Sequence, residues 1–136
     1  MLNPDEIERL ARTVLDCGFH IHNDLGPGLL ESAYEALMAE ALRQAGLNVR
    51  RQVNVPLKYN GVVVDNAFKI DLLVEESLIV ELKSVEKLAP IHGKQLLTYL
   101  RLTGLPLGLL VNFGQAMFKD GVRRVVNNHR GGGSTK

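Results

Sequence analysis

From residue 4 onward Ile7, Leu10, Ala11, Val14, Cys17, Gly18 and Ile21 recur at spacings of three and four, which predicts one helix with a single buried stripe. Asn3 is placed to cap it, Pro4 suits its first position, and Glu6 completes a capping box three residues after the cap. Gly26-Pro27-Gly28 then breaks the pattern, because proline disfavours helix in the residue before it. A second helix over about residues 30–45 presents Leu30, Ala33, Tyr34, Leu37, Ala41 and Ala45 on one face and stops at Gly46. From Val49 the period changes to two: Val53, Val55 and Leu57 alternate with other residues. Asn60-Gly61 is a two-residue hairpin signal leading into 62–64, and further strands follow at 68–74 and 78–83, joined by Glu75-Glu76-Ser77. A third helix over roughly 91–103 ends at Gly104, and 107–113 is an apolar strand. Strand, helix, strand predicts a right-handed crossover and a parallel pair. Asp120-Gly121 turns the chain into 122–126, expected at the sheet edge. The class is therefore α/β.

Length permits one domain, expected over 1–130, since 136 residues fit a single core. Gly131-Gly132-Gly133-Ser134-Thr135-Lys136 reads as a flexible Gly-rich tail. No apolar run approaches the ~20 residues of a membrane helix, and residues 1–30 lack the layout of a secretion signal, so a cytoplasmic setting is expected. Cys17 sits in the apolar stripe as a small core residue. The net charge of +1 conceals an asymmetry of −6 over residues 1–81 and +7 over 82–136. An acidic half can supply metal ligands and a basic half can attract polyanions, although folding can interleave the two.

The hairpin of residues 68–84 carries the candidate chemistry. A three-residue loop at 75–77 pairs 74 with 78 and sets Asp71 opposite Glu81, with Cβ atoms ~5 Å apart on one side of the sheet. Leu78, Ile79, Val80 and Leu82 mark the second strand as buried, where an unpaired charge is costly. Two opposed carboxylates there call for a cation. Lys83, two residues beyond Glu81 on the same face, supplies one positive charge, and a divalent ion would supply two. Carboxylate oxygens suit Mg2+ or Mn2+, and no Cys/His zinc spacing is present. The residue types alone also allow a structural ion-pair cluster with Lys83 or Lys69.

Asp71, then Glu81-Leu82-Lys83, then a helix bearing Gln95-Leu96-Leu97-Thr98-Tyr99, resembles the PD-(D/E)xK nuclease superfamily. Gly28-Leu29-Leu30-Glu31-Ser32-Ala33-Tyr34 is similar to the motif of the GxxExxY family within it, and the likeness extends over residues 5–127. Ile70 stands where the superfamily name places a proline. The resemblance implies a restriction-endonuclease-like mixed β-sheet flanked by helices, and a metal-dependent nuclease whose substrate is nucleic acid, DNA ahead of RNA. It further implies that Asp71, Glu81 and the Leu82 carbonyl bind Mg2+ or Mn2+, with Glu31 as a further carboxylate ligand directly or through water, and that Lys83 orients water and offsets phosphate charge. Gln95 would contact phosphate or water beside the site.

Several of these residues have ordinary structural readings as well. Glu31 is also a dipole-favoured acid in a first helical turn. Tyr34 shares a face with Glu31, so it either lines the cleft or packs in the core with a bonded hydroxyl; Tyr99, four residues after Gln95, either stacks on a base or packs. His20 and His22, two apart on a helix, face different ways, which argues against a joint metal site. An aromatic content of 5% without tryptophan leaves few stacking platforms. A non-catalytic module binding nucleic acid or protein is the competing function, and a small chain suits a homodimer for covering a duplex.

Overall fold

The computed structural model describes residues 2–127, so the Gly-rich end lies outside the described residues. Three helices, α1 (Pro4–Leu25), α2 (Glu31–Gln44) and α3 (Pro90–Thr103), enclose a five-stranded sheet. The strands are β1 (Val49–Tyr59), β2 (Val62–Val74), β3 (Leu78–Lys83), β4 (Leu107–Asn112) and β5 (Val122–Val126). They lie in the order β1-β2-β3-β4-β5, antiparallel throughout except for the parallel pair β3 and β4 that α3 connects. This is the mixed α/β sheet expected from the alternation of elements.

α1 begins as its sequence dictates. The Asn3 side chain accepts from the Glu6 N–H and the Glu6 carboxylate accepts from the Asn3 N–H, both at 2.8 Å, which satisfies two of the donors a helix start leaves orphaned. Its stripe of Ile7, Leu10, Ala11 and Val14 packs with Tyr34, Met38 and Leu42 of α2 against Leu72, Val74, Leu78, Val80, Leu82, Leu109 and Val111 of the sheet. On the other face Leu96, Tyr99 and Leu100 of α3 pack against Ile70, Leu73, Ile79 and Leu110. α3 ends at Gly104, whose φ of 76° is the left-handed conformation that glycine adopts without steric cost.

Two expectations need correction. The buried face of α2 is Tyr34, Glu35, Met38, Ala39 and Leu42, offset by one residue from the predicted stripe; Leu30, 77% exposed, is the helix cap, and Leu37 is also exposed. With apolar residues on nearly every side, the helix is oriented by what the sheet receives, and Met38 and Leu42 fill the space next to Tyr34. Second, 62–64 and 68–74 form one strand of 13 residues, in which Asp65-Asn66-Ala67 interrupts the pairing with β1 without ending the strand. The β1–β2 hairpin consequently extends beyond the body, with a register break at Pro56 and residues 58–67 all exposed.

Candidate active site

The ladder between β2 and β3 runs through Val74–Leu78, Leu73–Ile79 and Leu72–Val80 and stops before Asp71 and Glu81. Side chains replace main chain at that point. The Asp71 N–H donates to Glu81 Oε2 and the Leu82 N–H donates to Asp71 Oδ2, each at 2.9 Å. Extending the register one step past Leu72–Val80 sets Asp71 across from Glu81, and there the ladder gives way to the two carboxylates.

The face of β2 also reverses here. Ile70 lies in the layer beneath α3 and Leu72 in the layer beneath α1 and α2, although residues two apart on a regular strand share a face. β1 does the same: Arg51 reaches the α2 side, Val53 packs toward α3, and Gln52 between them has φ of 50°. Gln52 and Asp71 are the register position at which the β1–β2 ladder is interrupted. A left-handed non-glycine residue inside a strand costs free energy, and such residues concentrate at functional sites.

Electrostatics at the site favour a cation. Burial first, and the negative charge of Asp71 second, push the Glu81 carboxyl up to about 8. Burial also raises Asp71, opposed by its bond from the Leu82 N–H, and the charge of Glu35 raises it further. Lys83 is half-buried and makes no ion pair or side-chain hydrogen bond among the described residues, yet its charge lowers both acids. Tyr99 is shifted up by burial, then by the charges of Glu81 and Asp71, so its hydroxyl belongs to the same electrostatic neighbourhood.

The remaining predicted residues are distributed unevenly. Gln95 is exposed on α3 with no side-chain hydrogen bond among the described residues, one turn before Tyr99. The Tyr99 ring packs on Phe68 at 4.2 Å between centroids, which covers one face of the ring. Tyr34 is fully buried, stacked on Phe113 at 4.2 Å; its hydroxyl donates to the Gly26 carbonyl and accepts from the Leu29 N–H at 3.2 Å. It shapes the loop before α2 from within the core. Glu31 is exposed and accepts from the Ser84 N–H at 3.3 Å, while the Ser84 hydroxyl donates to the Leu29 carbonyl at 2.7 Å. Those bonds attach the Gly26–Glu31 segment to the residue after Lys83. Around the junction lies a cavity of about 620 Å³, lined by Pro27, Leu30, Glu31, Val85 and Glu86 among others.

The sequence reading missed three polar residues here. Asn112, fully buried beside Lys83 in the β3–β4 register, accepts from the Val85 and Gly114 N–H groups at 3.0 Å and donates to the Val85 carbonyl at 2.9 Å. A Cβ at Gly114 would collide with that same carbonyl. Glu35 is buried and bonded to Arg51 and Gln52, and Gln52 reaches Asp71. A polar residue inside an apolar strand run is the signal that would have found Asn112; Glu35 carried none, since the predicted stripe of α2 left it outside the core.

A family comparison matches residues 8–125 to the PD-(D/E)XK nuclease superfamily. The chain belongs to that superfamily. A comparison with curated proteins finds no match. Members of the PD-(D/E)XK superfamily generally use divalent metals. Among the described residues no group of three or more His, Cys, Asp and Glu side chains could hold a metal ion, so Glu31 does not join Asp71 and Glu81 in a three-acid cluster. The pair by itself still fits a hard divalent cation. Mg2+ is commonly held by one or two carboxylates with water completing its shell; Glu81 has one oxygen bonded to a main-chain N–H, and each Asp71 oxygen accepts a single hydrogen bond, from the Leu82 N–H and the Gln52 amide, which leaves lone pairs for a cation. No described helix is long and apolar enough to cross a membrane.

Proposed function

We propose that this domain is a metal-dependent nuclease of the GxxExxY kind that hydrolyses phosphodiester bonds, with DNA as substrate and Mg2+ or Mn2+ as cofactor. One observation carries the reading: a buried and a half-buried carboxylate, Glu81 and Asp71, held at a break in the sheet ladder, with a half-buried lysine two residues along that pairs with none of the described residues. Structural ion pairs place opposite charges in contact. Here the acids meet each other and the lysine is left uncommitted.

Asp71 and Glu81, with the Leu82 carbonyl, would hold the metal, which when bound supplies Lewis acidity at the phosphate and acidifies water. The chain's own groups do the rest. The N–H of Leu82 fixes Asp71 and the N–H of Asp71 fixes Glu81, so neither carboxylate needs to reorganise when the cation arrives. Lys83 offers an ammonium to the charge that builds on the phosphate oxygens and can hydrogen-bond the attacking water. Gln95, exposed and without a hydrogen bond among the described residues, supplies an amide to a phosphate oxygen. Glu31 acts from the cleft rim, holding the segment that follows Lys83.

The test is incubation of purified protein with end-labelled single-stranded and duplex DNA, and with RNA, in Mg2+ or Mn2+. Cleavage of DNA is expected, with Lys83→Ala and Glu81→Ala reduced by 100-fold or more, on the order typical for loss of one transition-state charge contact. Binding without cutting, or a Lys83→Ala protein that cuts equally well, would replace this reading with a non-catalytic binding module.

A further inference from the structure

Glu35 is 7% exposed, on the face of α2 turned to the sheet, and its two oxygens have different partners. Oε2 accepts from Arg51 Nε at 3.0 Å. Oε1 accepts from Gln52 Nε2 at 2.6 Å, and the same amide nitrogen donates its other hydrogen to Asp71 Oδ1 at 3.2 Å. One NH2 group therefore bridges two carboxylates. The second Asp71 oxygen is held by the Leu82 N–H, so both oxygens of this acid are oriented, one from β3 and one from β1.

The bridge explains features that packing does not. Gln52 is an exposed residue with φ of 50° in the middle of a strand, where nothing in the core requires that conformation. The turned-over backbone aims its amide between Glu35 and Asp71, and opposite it β2 turns over as well. Glu35 is itself a buried acid at a helical position where an alanine or leucine would pack, close enough for its charge to act on Asp71. Without the amide between them, the two would repel directly.

We propose that Gln52 and Glu35 are positioning residues for the metal site: Glu35 fixes the Gln52 amide, and the amide fixes the rotamer of Asp71. The inference rests on Asp71 being a metal ligand, as argued above. Neither residue touches the cation. Partners one shell out from a ligand typically change metal affinity by 10- to 100-fold through orientation alone.

The experiment is calorimetric titration of the intact protein with Mn2+, alongside apo melting temperatures. Gln52→Leu is expected to bind Mn2+ about 10- to 100-fold more weakly, and to melt below wild type in the apo form because Glu35 and Asp71 then face each other without the amide between them. Glu35→Ala is expected to match it, whereas Glu35→Gln, which keeps an acceptor oxygen for the Gln52 amide, stays within roughly threefold of wild type. The double variant Glu35→Ala/Gln52→Leu is expected to bind no more weakly than Gln52→Leu, since the two act in series. Should Glu35→Ala fail to fold, Gln52→Leu and Glu35→Gln decide the matter. Wild type that binds Mn2+ while Gln52→Leu binds equally well overturns this inference alone, as do losses that simply add in the double variant. Wild type that binds no Mn2+ overturns the metal-site reading and this inference with it.

Discussion

Asp71 donates its main-chain N–H to the carboxylate of Glu81 at 2.9 Å, at the register position where the β2–β3 ladder would otherwise continue. Glu81 is thereby both a strand residue and a substitute for a ladder partner, buried beside a second acid. Its carboxyl, raised to about 8 against an ordinary value of 4.5, binds a proton more tightly in the folded chain than in the unfolded one. The contribution of such a group to stability is complete below the unfolded value and is lost as pH rises through about 8. The metal-free protein should accordingly melt several degrees lower at pH 9 than at pH 6. Glu81→Gln, which keeps the acceptor for the Asp71 N–H and removes the charge, should flatten that slope and melt above wild type at pH 9. Calorimetric melting of both proteins across this range checks it, and a parallel slope in the two would show that the dependence arises elsewhere.

A cation relieves the same repulsion that high pH creates. Saturating Mn2+ or Mg2+ should raise the melting temperature of wild type, since a ligand at 100 times its dissociation constant adds about 2.7 kcal/mol to the folded state. Glu81→Ala and Asp71→Ala should lose that increment, whereas Glu31→Ala should retain it, because Glu31 is engaged with Ser84 away from the pair. A shift of equal size in wild type and Glu81→Ala would place the bound ion elsewhere.

The elements and the acid pair were legible because they follow from local rules. The Asn3–Glu6 capping box, the Asn60-Gly61 turn and Gly104 lie within a few residues of what they terminate, and the three-residue loop at 75–77 fixes the register to 71 and 81 by counting. What was not legible depends on tertiary choice. The face of α2 is decided by the sheet, which draws in Met38 and Leu42 and leaves Leu30 and Leu37 outside, so Glu35 looked like one more surface acid. The reversal at Gln52 and Asp71 is invisible to a period-two reading, since it breaks alternation on two strands at once and no glycine marks it. Tyr34 left two readings open from its spacing, and only its burial against Phe113 chooses between them.

Asn112 bears on the lysine from behind. Its side chain bonds both main-chain groups of Val85 and the N–H of Gly114, locking the segment that leaves β3 immediately after Lys83 and Ser84. Asn112→Leu is close in volume but leaves those groups buried without partners, each costing about 1–3 kcal/mol. The loss should total several kcal/mol in denaturant unfolding, larger than a typical surface substitution. Asn112→Asp retains the acceptor but sets an oxygen against the Val85 carbonyl in a buried site, and is likewise expected to unfold at lower denaturant than wild type.

Tyr34 ties the first half of the chain to the site through one oxygen. Its hydroxyl bonds the Gly26 carbonyl and the Leu29 N–H, and the Leu29 carbonyl in turn accepts from the Ser84 hydroxyl next to Lys83. Tyr34→Phe keeps the stack on Phe113 and removes only those bonds, so the global cost should be modest, about 1–2 kcal/mol. The local consequence should be larger. The Leu29 amide loses its acceptor, and hydrogen exchange there should accelerate while amides of β3 and β4 keep their protection. Tyr34→Ala would also empty the space beneath Phe113, at a cost of roughly 3–5 kcal/mol, as for other large buried aromatic truncations. If Tyr34→Phe left exchange at Leu29 unchanged, the loop would be held by the Glu31 and Ser84 contacts instead, and the tyrosine of the motif would serve only to fill the core.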